Sequence, residues 1–166
     1  MATTDLTAAR ARELLDYNLE TGLFHWRVQA SNVRKAGMLA GSTSRPGYVC
    51  IQVDGKVYKA HRLAFLLVTG QWPRDLVDHI NGVASDNRWV NLRDCPKNIN
   101  MQNKRKAHRN NSTGLLGVSW KKEHRKFVAA IGVDGKRVQI GLFKDAESAG
   151  AAYIEAKRRL HPGGTL

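Results

Sequence analysis

Two Asp-Gly pairs, at residues 54–55 and 134–135, constrain the fold of this chain more than any other feature. Each pair separates two short runs in which apolar residues alternate with polar ones, a pattern typical of tight antiparallel hairpins. The flanking runs are 48–53 with 57–58, and 126–133 with 137–143. Helical spacing of apolar residues is found at 7–17, 60–69 and 146–160. The sequence therefore predicts an α+β chain with antiparallel sheets.

A second pattern occupies residues 76–107. Two strand-like runs, 76–80 and 89–93, are separated by a polar stretch that contains Gly82. Pro96 suits the first turn of a helix, where its missing amide hydrogen is not needed, and no helix-breaking residue follows before Ala107. The expected unit is strand, loop, strand and helix.

A basic stretch of low apolar content divides the chain at residues 104–113. We predict a first domain at 1–107, a linker at 108–113 and a second domain at 114–166. The second domain is expected to be a small three-stranded antiparallel sheet packed on one helix. The side chains predicted to share its covered face are Phe127, Ala129, Ile131, Val138 and Ile140.

Net charge indicates the class of partner. The 166 residues carry 27 Lys or Arg against 14 Asp or Glu, a formal charge of +13, which favours a polyanion such as nucleic acid. No apolar stretch approaches the ~20 residues that span a bilayer, and residues 1–12 lack the apolar segment of a secretory signal. We expect a cytoplasmic protein that acts without a membrane. The only two cysteines, Cys50 and Cys95, indicate neither a disulfide framework nor a zinc site.

Four polar residues of the strand-loop-strand-helix pattern could converge on one point: Asp78, His79, Asn91 and Asn100. Phosphodiester hydrolysis needs a base to activate water and a cation to neutralise developing charge. An unprotonated His79 could be the base if its other nitrogen is held, either by Asn91 or by a backbone carbonyl. Carboxylate and amide oxygens suit one Mg²⁺ or Mn²⁺ ion. His61 lies on an apolar helix, where a histidine is more often a core residue, and no chemistry is assigned to it.

The motifs in this region resemble those of phage-type HNH homing endonucleases. They are Asp78-His79, Asn81-Gly82, Asn87-Arg88, Asn91-Leu92-Arg93 and Asn100 to Asn103, preceded by Ala60 to Phe65. The resemblance implies a ββα-metal (His-Me) finger with His79 as general base, Asp78 and Asn100 as metal ligands, and Asn91 supporting the histidine. Asn100 stands where the three-letter name has histidine. Arg88 and Arg93 could clamp phosphate, although a solvated surface role is as plausible.

Residues 114–162 resemble the APETALA/ethylene-response-factor DNA-binding domain. The segments that match are Gly117 to Trp120, Lys126 to Ile131, Gly141 to Phe143 and Ala149 to Tyr153. That family reads duplex DNA with the outward side chains of a three-stranded sheet. The positions carried over are Ser119, Lys121, Lys126, Arg137 and Gln139, and the basic residues Lys104, Arg105 and Lys106 are expected to bind DNA beside them.

These features together predict a metal-dependent DNA endonuclease that nicks double-stranded DNA as a monomer. The resemblance implies that it is a phage-encoded protein of homing type in a bacterial host. No obligate protein partner is evident, and no zinc is expected. Two alternatives stay open. One is a DNA-binding regulator whose nuclease finger has decayed, and the other is an RNA-directed nuclease or RNA binder.

Overall fold

Short helices and antiparallel hairpins make up the computed structural model, which describes residues 6–29, 31–32, 34–161 and 163–164. The chain divides into two compact units, Met1–Pro96 and Lys97–Leu166. The division into functional domains at 1–107, 108–113 and 114–166 stays a prediction. Residues 1–5 of the N-terminal segment, and residue 162 at the end of the second resemblance, lie outside the described residues.

The first unit opens with helix α1, Ala8–Leu14, whose first turn is capped by Thr7 Oγ1 accepting from the Arg10 amide at 3.2 Å. The predicted helix to residue 17 was too long. Strand β1, Leu15–Tyr17, instead pairs antiparallel with strand β2, Phe24–Trp26. Pairing buries Leu15 and stacks the Tyr17 ring on Phe24 with ring centroids 4.6 Å apart, so tertiary packing overrides the helical spacing.

The first Asp-Gly hairpin is confirmed. Strand β3, Ser42–Ser44, strand β4, Tyr48–Val53, and strand β5, Lys56–Lys59, form one antiparallel sheet. Asp54 and Gly55 both have positive φ, 47° and 80°, as a tight hairpin turn requires. Helix α2, Ala60–Thr69, follows directly with the predicted bounds, and it ends at Gly70 in the left-handed conformation.

The core of the first unit lies between α1, α2 and the sheet. Helix α2 provides its most completely buried side chains, and each neighbouring element contributes one or two apolar residues. The fully enclosed members are Ala11, Ile51, Ala60, Leu63 and Ala64. Because α2 is packed into this core, its first turn presents His61 in a defined position.

A second hairpin of the first unit carries the Asp-His pair. Strand β6, Leu76–His79, pairs antiparallel with strand β7, Leu92–Cys95, so that Asp78 lies opposite Arg93. The strand predicted at 89–93 begins later, because residues Trp89–Asn91 form a 3-10 turn. Val90 is 80% exposed, so this turn has no apolar alternation that would favour a strand.

The second unit begins with helix α3, Lys97–Gln102, which is shorter than the predicted 96–107. After Asn103 come three consecutive cationic residues, Lys104 to Lys106, which leave no apolar face to pack. The C-terminal end of the chain holds α3 in place. Lys157 donates to the carbonyl oxygen of Lys104, and the Gly163 amide donates to Gln102 Oε1 at 3.0 Å.

The predicted three-stranded sheet packed on one helix is confirmed in this unit. Strands β8, Val118–Lys121, β9, Lys126–Val133, and β10, Lys136–Phe143, are antiparallel with β9 in the centre. Helix α4, Ala146–Leu160, is capped by Asp145, which accepts from the Ser148 amide at 2.7 Å. Gly117 has a φ of 73°, and the Tyr153 ring lies so close that no side chain could fit there.

The helix-facing side of this sheet agrees with the predicted set except at one position. Ala129 and Ile131 are buried and Phe127 and Ile140 are half-buried against α4, whereas Val138 is 43% exposed. Val138 pairs with the buried Ile131, but it lies on β10, an edge strand of the sheet, whereas Ala129 and Ile131 lie on the central strand β9. Throughout the described ranges, no helix is long and apolar enough to cross a membrane.

Candidate active site

Asp78 and His79 end strand β6, and both side chains are buried. Asp78 Oδ2 accepts two hydrogen bonds from Arg93, from Nε at 3.0 Å and from Nη2 at 2.7 Å. The cross-strand register creates this pair, since Asp78 and Arg93 are direct partners. The guanidinium compensates the buried carboxylate, so the charge of Asp78 can be kept inside the fold. Arg93, predicted to contact DNA, therefore also holds Asp78.

His79 is oriented by Asn87. The His79 Nε2 atom lies 3.2 Å from Asn87 Oδ1, while Asn87 Nδ2 donates to the Ser85 carbonyl at 3.2 Å. Because the amide oxygen can only accept, the imidazole donates through Nε2–H, and the unprotonated nitrogen of the neutral ring is Nδ1. Burial lowers the pKa of His79, against opposing contributions from Asn87, Asp78 and Asp86. The neutral ring with a basic Nδ1 is thus the form favoured near neutral pH.

The N-terminal strands fix the segment that carries Asn87. Tyr17 donates from its hydroxyl to the Asn87 carbonyl at 2.7 Å, and the Trp89 amide donates to the Leu19 carbonyl at 2.9 Å. Gly22, with a φ of 72°, approaches the same segment so closely that a β-carbon there would lie 2.4 Å from the Arg88 amide nitrogen. Burial, and secondarily Asp86, raises the pKa of Tyr17 to about 12, which keeps the phenol a donor. Residues far from the motif in sequence therefore position the histidine.

Asn91 makes two hydrogen bonds that fix the loop between β6 and β7. Its Oδ1 accepts from the Asn81 amide at 2.9 Å, and its Nδ2 donates to the Asp86 carbonyl at 2.7 Å. Both ends of the Asn91 amide are engaged in this way, whereas the hydrogen bond to the His79 ring described above comes from Asn87. The hydrogen bond to His79 Nε2 thus comes from Asn87, a residue outside the predicted site, and the catalytic role of Asn91 stays a prediction.

Arg88 pairs with Asp86 in the same loop. Its Nε and Nη2 atoms bind the Asp86 carboxylate at 2.8 and 2.6 Å, and this pairing lowers the pKa of Asp86 to about 2. Asn81 Nδ2 adds a third bond to Asp86 at 2.7 Å. The Arg88 side chain is nevertheless 49% exposed, so its outer surface can face a polyanion.

Two rings, those of His61 and Tyr48, lie beside the His79 ring. The His61 ring meets it edge-on, with centroids 4.9 Å apart and planes at 84°, and the Tyr48 ring lies 5.4 Å from His61 and 5.9 Å from His79. His61 is buried, and its Nδ1 atom is enclosed without a hydrogen-bond partner. Lys59 Nζ lies 5.0 Å from the centre of the Tyr48 ring. Neither His61 nor Tyr48 is among the predicted site residues, because nothing in the local sequence shows that α2 lies against the end of β6.

We expect this histidine pair to make the chain sensitive to acid. Burial, then the nearby His79, Arg62 and Lys59, lowers the pKa of His61 from 6.5 to about 3. Between those values the unfolded state binds the proton and the folded state does not. Stability is therefore full above pH 6.5 and decreases as pH falls toward 3, by up to about 1.4 kcal/mol per pH unit. Denaturant unfolding between pH 4 and 8 measures the slope, and His61→Phe should flatten it; an unchanged slope would contradict this assignment.

The other predicted site residues lie in the second unit. Asn100 is half-buried on α3, and Lys104, Arg105 and Lys106 are exposed after it. Ser119, Lys121, Arg137 and Gln139 together line one depression on the sheet face turned away from α4. Val128 and Ala130 form its floor, and Lys126 lies opposite Lys121 in the register. Four of the five side chains predicted to face outward therefore share one surface, which also holds Lys122 and Glu123.

In the part of the chain that the structure describes, no group of three or more His, Cys, Asp or Glu side chains could hold a metal ion. The two predicted ligands, Asp78 and Asn100, are one carboxylate and one amide, so the absence of such a group does not bear on them. Cys95 is buried near Asp78, and burial raises the pKa of its thiol, so it remains protonated and is a poor metal ligand.

Comparison with known proteins bears on this site. Residues 58–102 match the HNH endonuclease family. The HNH region contains His61, Asp78, His79, Asn87 and Asn91 from the first unit, together with Asn100 from the second. The match indicates nuclease chemistry on a nucleic acid, and HNH nucleases typically use a divalent metal. It ends at residue 102, so the resemblance of the C-terminal sheet to a plant DNA-binding domain stays a prediction. No curated protein and no solved structure matches the chain.

Proposed function

We propose that this chain is a metal-dependent DNA endonuclease that hydrolyses phosphodiester bonds, with His79 as the general base. One observation carries the proposal. Inside a region that matches the HNH family, a buried neutral imidazole is held at Nε2 by Asn87, which leaves Nδ1 basic, and the next residue is a buried carboxylate. A purely structural histidine has no need of this arrangement.

The chemical step follows from that tautomer. His79 Nδ1 accepts a proton from a water molecule as the water oxygen attacks phosphorus. The bond from phosphorus to the leaving oxygen breaks, and that oxygen takes up a proton. Asn87 keeps the ring oriented while His79 carries the transferred proton, because the Nε2–H bond to its amide oxygen is present in both protonation states. Asn91 contributes indirectly, since it fixes the loop that bears Asn87.

The residues present fit a divalent cation of the magnesium class. Asp78 offers a buried carboxylate, and Asn100 offers an amide oxygen by the resemblance described above; both are hard ligands. Arg93 binds Asp78 through Oδ2 and sets the orientation of that carboxylate. When bound, a single Mg²⁺ or Mn²⁺ ion would neutralise charge that develops on the phosphate and leaving oxygen.

We further propose that residues 114–162 bind duplex DNA through the depression on the sheet. Arg137 and Gln139 are exposed there and carry the donors and acceptors that base edges require. Lys104, Arg105, Lys106, Lys121 and Lys126 are suited to phosphate contacts, as are Arg88 and Arg93, which lie within residues 58–102. Residues 97–126 hold nine Lys or Arg against one acidic residue, Glu123, which favours a role in binding over a merely solvated surface.

The cutting mode and setting belong to the same proposal. One HNH region supplies one base, so a monomer is expected to cut one strand, and a double-strand break would need two copies. A phage-encoded homing enzyme acting on DNA in the bacterial cytoplasm is the setting that the sequence resemblance favours.

A nicking assay tests the proposed function. Supercoiled plasmid is incubated with the purified chain and Mg²⁺ or Mn²⁺ at fixed ionic strength, because phosphate-driven binding depends steeply on salt. Conversion to the open circle is expected, with duplex DNA competing better than RNA. Binding without cutting under every divalent ion would favour a regulator with a decayed finger. Preferential cutting of RNA would favour the RNA-directed alternative.

Asn87 provides a sharper prediction. Asn87→Leu keeps the side-chain volume but removes the acceptor for His79, and we expect cutting to fall on the order of 10–100-fold. Asn87→Asp retains an acceptor and should preserve most of the activity. Thermal unfolding and plasmid nicking are measured on both variants. If the leucine and aspartate variants cut equally well, Asn87 does not orient the base.

The sheet surface gives a prediction on binding. Arg137→Ala should cost about 1–3 kcal/mol at preferred sites and broaden the distribution of cut positions along a long duplex. Lys126→Ala should weaken binding at all sequences and lower the slope of log affinity against log salt by about one. Cut-site mapping and salt titration of binding distinguish the two effects. Identical behaviour of the two variants would argue against base reading by Arg137.

A further inference from the structure

A second imidazole lies beside the proposed base, and the mechanism above makes no use of it. His61 is only 7% exposed, yet it projects from the first turn of α2 toward the end of β6, where its ring centroid lies 4.9 Å from that of His79. Buried polar side chains are normally hydrogen-bonded, and one that is not calls for an explanation. The enclosed Nδ1 of His61 has no partner.

The enclosure of Nδ1 selects the tautomer of His61. A buried N–H without an acceptor is rarer and costs more than a buried lone pair without a donor. The proton of the neutral ring therefore belongs on Nε2, the ring nitrogen that is not enclosed. His61 thus presents a neutral N–H donor at the accessible edge of its ring, next to a histidine that presents a basic nitrogen.

The surroundings suit an anion. The Tyr48 ring lies beside both histidines, with centroids 5.4 and 5.9 Å away, and Lys59 Nζ lies over that ring. Lys59 Nζ also donates to Ser44 Oγ at 3.4 Å and to Cys50 Sγ at 3.3 Å, and neither acceptor is a carboxylate. A donor, a base and an ammonium group are the chemistry that recognises a phosphate and the water that attacks it.

We propose that His61 is a second catalytic residue, whose Nε2–H donates a hydrogen bond to a non-bridging oxygen of the scissile phosphate while His79 takes the proton of the attacking water. Two rings with centroids 4.9 Å apart can reach a phosphate and its attacking water together, because each hydrogen bond spans about 2.8 Å. The bond strengthens as negative charge grows on that oxygen in the transition state. This assignment rests on the proposed function.

Two substitutions test it in the full chain. His61→Phe keeps an aromatic ring of similar size but has no donor, and His61→Gln keeps a donor near the position of Nε2. We expect the phenylalanine variant to cut on the order of 100-fold more slowly, as for loss of one transition-state donor, and the glutamine variant to stay within about tenfold of the wild type. Nicking is measured with Mg²⁺, and DNA affinity is measured separately with Ca²⁺.

The thermal stability of the His61→Phe variant distinguishes a catalytic role of His61 from a purely structural one. His61→Phe removes an unsatisfied buried nitrogen, so its melting temperature at pH 8 should equal or exceed that of the wild type while cutting falls. If His61 were only structural, His61→Phe would lower the melting temperature and the cutting rate together. As a readout independent of cutting, ¹⁵N NMR of the metal-free protein should show His61 as the Nε2–H tautomer, with its Nε2 signal shifting when a short DNA duplex is added.

The outcomes are distinct. An active wild type with an equally active His61→Phe variant overturns the role of His61 and leaves the proposed function standing. An Nδ1–H tautomer, or a cutting loss that only parallels a loss of stability, overturns it as well. A wild-type chain that binds DNA but never cuts overturns the proposed function, and the role of His61 with it.

Discussion

Replacement of His79 by alanine is expected to lower the nicking rate by about 10³-fold, the middle of the range for loss of a general base. The reason is the geometry at the end of β6, where Asn87 fixes the ring through Nε2 and leaves Nδ1 as the basic nitrogen. DNA affinity measured without cutting should change little, because the ring is 5% exposed and adds little binding surface. Single-turnover plasmid nicking with Mg²⁺ measures the effect.

His25→Ala is the matched control for that experiment. His25 lies on β2 of the same unit and is half-buried, but it pairs with Asp16 on β1 and takes no part in the candidate site. It should cut at the wild-type rate per folded molecule. A fully active His79→Ala variant would exclude His79 as the base, whatever the control shows.

The second large effect is expected for Asp78→Asn. The substitution preserves the shape of the side chain but removes its charge. Loss of a metal-held carboxylate should therefore cost several kcal/mol of transition-state stabilisation, on the order of 10³-fold in rate. Calorimetric titration with Mn²⁺ should show weaker binding by the variant. Some thermal stability should be lost too, because Arg93 would keep its charge without the carboxylate that it binds at 2.7 Å.

Asp94→Asn provides the comparison for Asp78→Asn. Asp94 lies on β7, adjacent in sequence to Arg93, and its carboxylate accepts from the Arg74 and Asp75 amides at 3.0 and 3.2 Å. Asp94→Asn therefore removes a charge that stabilises the same hairpin but does not contact the candidate site. We expect a modest loss of stability with cutting retained. If both variants bind Mn²⁺ and cut like the wild type, Asp78 is not a metal ligand.

Local chemistry made much of the fold predictable. The Asp-Gly turns need two consecutive residues with positive φ, and Gly70 ends α2 for a related reason, so these boundaries can be assigned from the residues alone. Strand β1 could not be predicted, because Leu15 has helical spacing with α1 and becomes a strand only through pairing with β2. The exposure of Val138 could not be predicted either, because the alternation of residues along β10 does not show which of them α4 covers.

The candidate site was predictable in part for a similar reason. Asp78 and His79 are recognisable because the motif is contiguous in sequence. The two asparagines of the loop, Asn87 and Asn91, have the same donors and acceptors, and their roles are decided by how the loop folds against Tyr17 and Gly22. His61 comes 18 residues before His79, and only the packing of α2 brings the two rings together.

Two hydrogen bonds join the C-terminal residues Lys157 and Gly163 to residues 104 and 102, and they determine which C-terminal fragment can fold intact. A fragment that starts at residue 114 would leave the Lys157 ammonium and the Gly163 amide without the acceptors that residues 102 and 104 supply. A fragment that starts at residue 97 keeps both acceptors. Proteolysis should therefore release the C-terminal piece with its short leading helix still attached, and a recombinant version should express best with that boundary.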